Sequence, residues 1–120
     1  MRRTILAAIL LVLAAPALAA NYPVAGRWGI GAPPSKDRID CSKLRVIAFN
    51  GNTRTDSKGG VPAYRNVSVT PQGVGNYRIV DQFTTGQIAN AHVTYMLRQV
   101  DATHVEMTQN GATLKLQQCR

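Results

Sequence analysis

Few residues in this chain have the chemistry that catalysis needs. His92 and His104 are the two histidines, and Cys41 and Cys119 are the two cysteines. A nucleophilic site requires a serine or cysteine beside a histidine and an acid, and a zinc site requires several ligands at close spacing. The cysteines lie far apart without C-x-x-C spacing, and neither paired carboxylates nor a phosphate-binding G-K-[ST] sequence occurs. We therefore expect a non-enzyme with no catalytic residue, no metal and no cofactor.

The remaining possibility is a metal site formed by His92, His104 and Glu106, which we consider for a hairpin with its turn at residues 99–103. In that register Arg98 faces His104, and His92 lies about 20 Å away along the strand at about 3.3 Å per residue. That separation is too large for one coordination sphere. We expect His104, Glu106 and Arg98 to form an exposed polar cluster instead.

The first 19 residues have the three parts of a secretory signal peptide. Two arginines precede an apolar run at residues 5–13, and small residues at Ala17 and Ala19 fit the cleavage rule. The run is shorter than the roughly 20 residues that cross a bilayer, so we expect no membrane span. We predict cleavage after Ala19 and a single domain at residues 20–120. It would be periplasmic if the source is bacterial and secreted otherwise.

Export places Cys41 and Cys119 where disulfides persist, so we expect them to be bonded. Closing so long a loop would stabilise the fold by roughly 4 to 5 kcal/mol if loss of unfolded-chain entropy is the main effect. The bond would tie the last strand to an early one.

Along residues 20–120 the dominant hydropathy period is two, which is typical of half-buried β-strands. In the clearest stretch, residues 88–98, the apolar face consists of Ala89, Ala91, Val93, Tyr95 and Leu97. The same alternation predicts six further strands, at residues 24–30, 44–49, 64–70, 77–83, 104–109 and 112–118. Short connections make successive strands antiparallel neighbours. We predict an all-β fold, an antiparallel up-and-down meander of about seven or eight strands that closes into a small barrel or a flattened sandwich.

Turn signals support this meander. Asn110-Gly111 is typical of a two-residue hairpin, and Thr84-Thr85-Gly86 of a three-residue one. Two longer polar segments, residues 31–40 and 50–63, are predicted to be loops. The second exceeds the usual length of loops in small domains, so it is either a mobile surface segment or a functional loop.

The balance of charge indicates what the domain could bind. Removing residues 1–19 reduces the formal net charge from +8 to +6, and residues 20–65 hold eight basic and three acidic side chains. Such an excess favours anionic partners. We expect a non-catalytic protein that binds an anionic or amphipathic component of the cell envelope. The candidate binding residues are Arg45, Arg54, Lys58 and Arg65.

The alternative is an inhibitor or accessory protein that docks on a secreted or periplasmic enzyme. Salt dependence separates the two hypotheses, because screening weakens binding to a charged surface more than binding through a packed interface. Export argues against nucleic acid as a partner, and we expect a monomer.

Gly26-Arg27-Trp28 resembles the G-x-W opening of the lipocalins and related calycins. The resemblance implies an up-and-down barrel whose tryptophan packs at the closed end beneath a basic residue, here Arg120 or Lys115. It also implies a small apolar ligand inside the barrel, although eight strands can equally enclose only their own side chains. The candidate residues of the barrel interior are Trp28, Tyr77 and Tyr95.

Overall fold

A closed antiparallel barrel of eight strands forms from residues 21–58, 63–84 and 89–120, the residues that this computed structural model describes. The strands are β1 (Gly26–Ile30), β2 (Arg45–Asn50), β3 (Thr53–Asp56), β4 (Ala63–Pro71), β5 (Asn76–Phe83), β6 (His92–Gln99), β7 (His104–Gln109) and β8 (Ala112–Gln118). Each strand pairs with the next along the chain, and β8 pairs with β1. The predicted meander, closed as a barrel, is confirmed. The predicted signal peptide lies outside the described residues.

Strand β3 corrects the predicted loop at residues 50–63. The chain turns at Gly51, which has a φ of 62°, and Thr53–Asp56 then pairs with β2 and β4. The strand contains no apolar residue, so its hydropathy pattern could not reveal it. Residues 59–62 of the predicted loop lie outside the described residues.

The two-residue hairpin between β7 and β8 is confirmed. Asn110 has a φ of 50° and Gly111 a φ of 79°, the left-handed conformations that this kind of turn requires. The hairpin between β5 and β6 is longer than predicted, since β6 begins at His92 rather than at residue 88. Residues 85–88 of its turn lie outside the described residues. Ala89 and Ala91, which were predicted to be on the inner face, are exposed.

The β6–β7 register differs from the prediction by two residues. Arg98 faces Glu106 rather than His104. The backbone N–H of Val100 donates to the His104 carbonyl at 3.0 Å, and this tight turn extends the ladder by one further pair. Arg98 and Glu106 form an ion pair at 3.9 Å, while His104 contacts Asp101 at 2.8 Å. The predicted cluster is therefore two separate pairs.

The disulfide between Cys41 and Cys119 is confirmed and fastens the segment at residues 31–44 to the outside of the barrel. Next to it, the N–H of Ile39 donates to the Gln118 carbonyl at 2.9 Å. Gly29 lies beneath the bond, where an added Cβ would come within 2.7 Å of the Cys41 sulfur. The close packing at this point therefore requires glycine.

Inward-facing residues of the strands, joined by two residues that precede β1, form one hydrophobic core. Its fully buried members are Tyr22, Val24, Trp28, Ile47, Phe49, Ile79, Tyr95, Leu97, Val105, Met107 and Leu116. Tyr22 packs edge-on against Phe49 with ring centroids 4.9 Å apart, and its N–H donates to the Gly51 carbonyl. The segment before β1 thus covers one end of the barrel. No helix in the described part of the chain has the length and apolar character needed to cross a membrane.

Leu97 and Thr94 on β6 test the inner and outer faces. Leu97 is completely buried and Thr94 is exposed. We expect Leu97→Ala to reduce the free energy of unfolding in urea by about 2 to 5 kcal/mol, because it leaves a cavity in the core. Thr94→Ala should change it by no more than about 0.5 kcal/mol. Equal losses from the two substitutions would contradict the register of β6.

Candidate functional site

Core side chains occupy the interior of the barrel around Trp28, Ile79 and Tyr95. Trp28 and Tyr95, two of the three predicted interior residues, are buried in the core, and Tyr77 is partly buried against it. Trp28 donates its indole N–H to the Ala25 carbonyl at 3.0 Å. Arg120 and Lys115, the basic residues that the resemblance offered near Trp28, are both exposed, and the guanidinium of Arg120 donates to the Arg38 carbonyl.

One part of the interior is polar and is built around a buried ion pair. Arg54 on β3 donates from Nε to the carboxylate of Asp81 on β5 at 2.8 Å, and only 5% of Arg54 and none of Asp81 is exposed. The hydroxyl of Tyr95 donates to the same carboxylate at 2.8 Å, and the Asn66 amide donates to its other oxygen at 3.2 Å. The Arg54 guanidinium stacks on the Tyr64 ring, 3.8 Å from its centroid. These contacts compensate for the loss of water around both charges.

The titration behaviour of this cluster follows from its burial. Burial raises the pKa of Tyr95, and also that of Tyr22, well above the ordinary tyrosine value, so both hydroxyls stay neutral. Burial alone would lower the pKa of Arg54, but the adjacent Tyr95 and Asp81 outweigh it and raise the pKa. Arg54 therefore remains charged and committed to Asp81.

Arg54 was predicted to lie in an exposed binding loop, and its location corrects that prediction. It is an inward residue of β3, and its charge is neutralised inside the barrel. Arg45 is likewise engaged, because its guanidinium donates to both carboxylate oxygens of Asp56, at 2.9 Å from Nε and 2.6 Å from Nη2. Burial opposes the charge of Asp56, but the bonds from Arg45 and the Lys58 backbone N–H outweigh it and lower the pKa of that carboxyl.

The four predicted binding residues therefore do not share one surface. Arg45 lies beside Asp56, Arg54 is inside, and Lys58 follows the end of β3. Only Arg65 is an exposed strand residue that lacks a carboxylate within 4 Å among the described residues. Its neighbours on the outer surface define a different candidate site.

We call this surface the β3–β6 wall. Strand pairing places Arg65 beside Gln82, and Arg78 beside both Thr70 and Met96, on the outer face. The wall consists of the outward residues Thr53, Thr55, Arg65, Ser68, Thr70, Arg78, Val80, Gln82, His92, Thr94, Met96 and Arg98. None of these is acidic, whereas the carboxylates of the described residues lie in loops, inside the barrel or on β7.

Arg78 is the residue of this wall that sequence reasoning missed. The alternation of Arg78, Val80 and Gln82 with Ile79 and Asp81 in β5 already indicated an outward position. The signal was hidden because β3 was absent from the predicted sheet, so β4 and β5 were not placed at the centre of a four-stranded surface.

Other chemistry is sparse in the described residues. His104 is paired with Asp101, whose pKa is lowered mainly by its hydrogen bond from His104, while His92 is exposed at the start of β6. No three His, Cys, Asp or Glu side chains in residues 21–58, 63–84 and 89–120 are grouped to hold a metal ion.

Comparison of the chain with protein-family models, with curated proteins and with solved structures finds no match. The barrel has the general shape of a lipocalin barrel, with eight antiparallel strands in sequential order. Functional inference must therefore come from the surfaces of this molecule.

The buried ion pair can be tested with two arginines that were both predicted to be binding residues. Arg54→Met should lower the free energy of unfolding by about 3 to 5 kcal/mol, because it leaves the Asp81 carboxylate buried without its cation. Arg65→Met, at an exposed position, should change it by no more than about 0.5 kcal/mol. Urea unfolding followed by tryptophan fluorescence gives both values.

A second variant separates loss of charge balance from loss of packing. Adding Asp81→Asn to Arg54→Met removes the uncompensated carboxylate and keeps an acceptor for Tyr95, so the double variant should be more stable than Arg54→Met alone. If Arg54→Met and Arg65→Met were equally mild, Arg54 would not be the buried partner of Asp81.

Proposed function

We propose that this chain is an exported, non-catalytic protein that binds an anionic component of the cell envelope through the β3–β6 wall. The observation that carries the proposal is the composition of that wall. Arg65 and Arg78 are exposed there among hydroxyl and amide side chains, without a carboxylate on the same surface.

Charge pairing elsewhere strengthens the contrast between this wall and the rest of the barrel. Three carboxylates, those of Asp56, Asp81 and Glu106, are occupied by Arg45, Arg54 and Arg98. The positive charge that remains can therefore act on an external anion. Guanidinium groups suit phosphate and carboxylate oxygens because they donate two parallel hydrogen bonds.

The wall also has an apolar part. Met96 is 38% exposed and pairs with Arg78, and Val80 occupies the next outward position of β5. An arginine beside an exposed methionine and a partly buried valine suits a ligand with an anionic head and an apolar tail, such as an acidic lipid in a membrane surface. This supports an amphipathic envelope component over a purely polar anion.

The core side chains and the ion pair inside the barrel support a site on the outside rather than in the lumen. A calycin-type relationship is part of the proposal, supported by Gly26-Arg27-Trp28 at the start of β1 and by the burial of Trp28. The lumen that such a barrel could offer a ligand holds core side chains and the Arg54–Asp81 pair. The surface is therefore the better candidate.

Export to the periplasm, or secretion, completes the proposal. The signal-like residues 1–19 support it, and so does the disulfide between Cys41 and Cys119, since such bonds persist in oxidising compartments.

Vesicle binding tests the wall directly. The purified protein should bind vesicles of phosphatidylcholine mixed with phosphatidylglycerol, bind phosphatidylcholine alone far more weakly, and lose affinity as salt is added. Arg65→Gln/Arg78→Gln should weaken binding by about 30-fold, because each cation near an anionic surface contributes about 1 kcal/mol. Co-sedimentation with the vesicles measures the affinity.

The matched control is Arg27→Gln/Lys43→Gln, which removes two exposed charges outside the wall. Its effect should be much smaller, because charges more than about 8 to 10 Å from the bound surface are screened at physiological salt. Equal losses in the two double variants would show that net charge alone drives binding. Absence of binding at low salt would refute the proposed lipid surface.

A further inference from the structure

The seam between β1 and β8 is open along half of β8. The strand pairs with β7 from Ala112 to Gln117 but with β1 only from Leu116 to Gln118. The β1-facing edge of residues 112–115 therefore has no neighbouring strand in the described structure. A sheet edge of this kind presents backbone donors and acceptors to a further chain.

The local sequence keeps β1 from continuing along this edge. Gly31 has a φ of 92° and turns the chain away, and Pro33 and Pro34 have no N–H to donate to a ladder. The side chain of Gln117 then holds the diverted segment. Its amide donates to the carbonyls of Ala32 and Pro33 at 3.2 and 3.1 Å, and its oxygen accepts from the Ser35 N–H at 2.9 Å. The opening is thus fixed by hydrogen bonds.

Alternation along β8 identifies the backbone groups at the opening. The N–H of Cys119 donates to the Arg27 carbonyl of β1, whereas the N–H of Gln118 donates to Thr103 on the other side. In an antiparallel ladder successive residues bond to opposite sides. Lys115 and Thr113 therefore point their N–H and C=O groups into the seam, where no backbone group of the described residues bonds to them.

A groove of about 510 Å³ follows this edge. Its apolar lining comes from Ile30, Ala32, Pro34, Val100, Leu114 and Leu116. Val100 is 48% exposed, although it is a large apolar side chain. The groove therefore offers apolar contacts beside an edge with backbone hydrogen-bonding capacity.

Lys115 is the one lysine or arginine among the described residues that line the groove. Asp101 contacts His104 at 2.8 Å, and Glu106 faces Arg98 at 3.9 Å. Lys115 is exposed on the outer face of the open edge, opposite Glu106 in the β7–β8 ladder, and its ammonium has no carboxylate within 4 Å in that part of the chain. The complementary group is an acidic side chain.

We propose that the open edge of β8 binds an extended segment of another protein, which adds a strand at the seam and places an acidic side chain beside Lys115. Its backbone bonds to Thr113 and Lys115, and its alternate apolar side chains contact the groove. This second site is separate from the lipid-binding surface proposed for the β3–β6 wall. It gives a defined surface to the alternative function predicted from the sequence, docking on another protein.

A second copy of this chain fits the edge less well. Antiparallel pairing of two β8 edges would bring the two Lys115 side chains to opposite or diagonal positions on the same outer face. Like charges at such positions repel each other. A lysine on an exposed edge is also a common device against pairing between copies.

The peptide Val-Glu-Val-Glu-Val, blocked at both ends, is the direct probe. Titrated into the isotope-labelled protein, it should shift the NMR signals of the Thr113 and Lys115 amides and slow their hydrogen exchange. Val-Lys-Val-Lys-Val should bind more weakly because it repels Lys115. The Val-Glu peptide methylated on alternate backbone nitrogens, so that it cannot donate to the edge, should lose binding even to the unaltered protein.

Two charge-reversal variants distinguish peptide binding at the open edge of β8 from binding at the β3–β6 wall. Lys115→Glu should weaken binding of the Val-Glu peptide by about tenfold or more, since a close attraction becomes a repulsion. Arg78→Glu makes the same change in net charge on the wall and should have little effect on the peptide. Binding to phosphatidylglycerol vesicles should be weakened by Arg78→Glu and little affected by Lys115→Glu. Each proposal can therefore fail without the other.

Three results would overturn the inference. The Val-Glu peptide could fail to bind, the methylated peptide could bind equally well, or Lys115→Glu and Arg78→Glu could weaken binding equally. Concentration-dependent dimerisation that protects the Thr113 and Lys115 amides would identify a second copy as the occupant and would also overturn it. The methylated peptide keeps the test decisive if Lys115→Glu does not fold.

Discussion

The ion pair between Arg54 and Asp81 is the interaction on which the arrangement of this barrel depends. β3 has no apolar side chain to bury, yet the barrel needs this strand to join β2 to β4. Its inward Arg54 can be buried only because a carboxylate and two tyrosine rings surround it. A buried charge without such partners would cost several kcal/mol. The pair also spans β4, so it fixes β3 relative to β5.

This interaction bears on where we propose that ligands bind. The ion pair and the aromatic residues around it occupy one part of the interior, and the apolar core occupies another. Both binding sites that we propose therefore lie on the outer surface, where two regions differ in chemistry. The β3–β6 wall has arginines without carboxylates, whereas the β1–β8 seam has open backbone groups beside an apolar groove. The disulfide between Cys41 and Cys119 lies next to the short stretch where β1 pairs with β8. It reinforces the closure of the barrel there, while the rest of the β8 edge remains unpaired.

Much of the fold could be predicted from hydropathy with a period of two, since seven strands have apolar inner faces. The hairpin at Asn110-Gly111 was predictable from conformational preference, and the disulfide from the signal-like N-terminus. β3 was not predictable in this way because its inner face is ionic, and the pairing of Arg54 with Asp81 is long-range. The prediction of candidate binding residues was affected in turn: Arg54 was assigned to an exposed loop, and Arg78 was not included. The open edge of β8 follows from the registers of two strand pairs, which a single sequence does not specify.

The central claim is that this barrel binds its ligand on the outside and keeps its interior closed. NMR mapping with bicelles that contain phosphatidylglycerol tests it at the level of single residues. Shifts should concentrate on outward positions of the β3–β6 wall such as Arg65, Arg78 and Met96, while the signals of Trp28, Ile79 and Tyr95 stay in place. Shifts concentrated on those three interior residues, with the wall unaffected, would show that the ligand enters the lumen and would contradict the account.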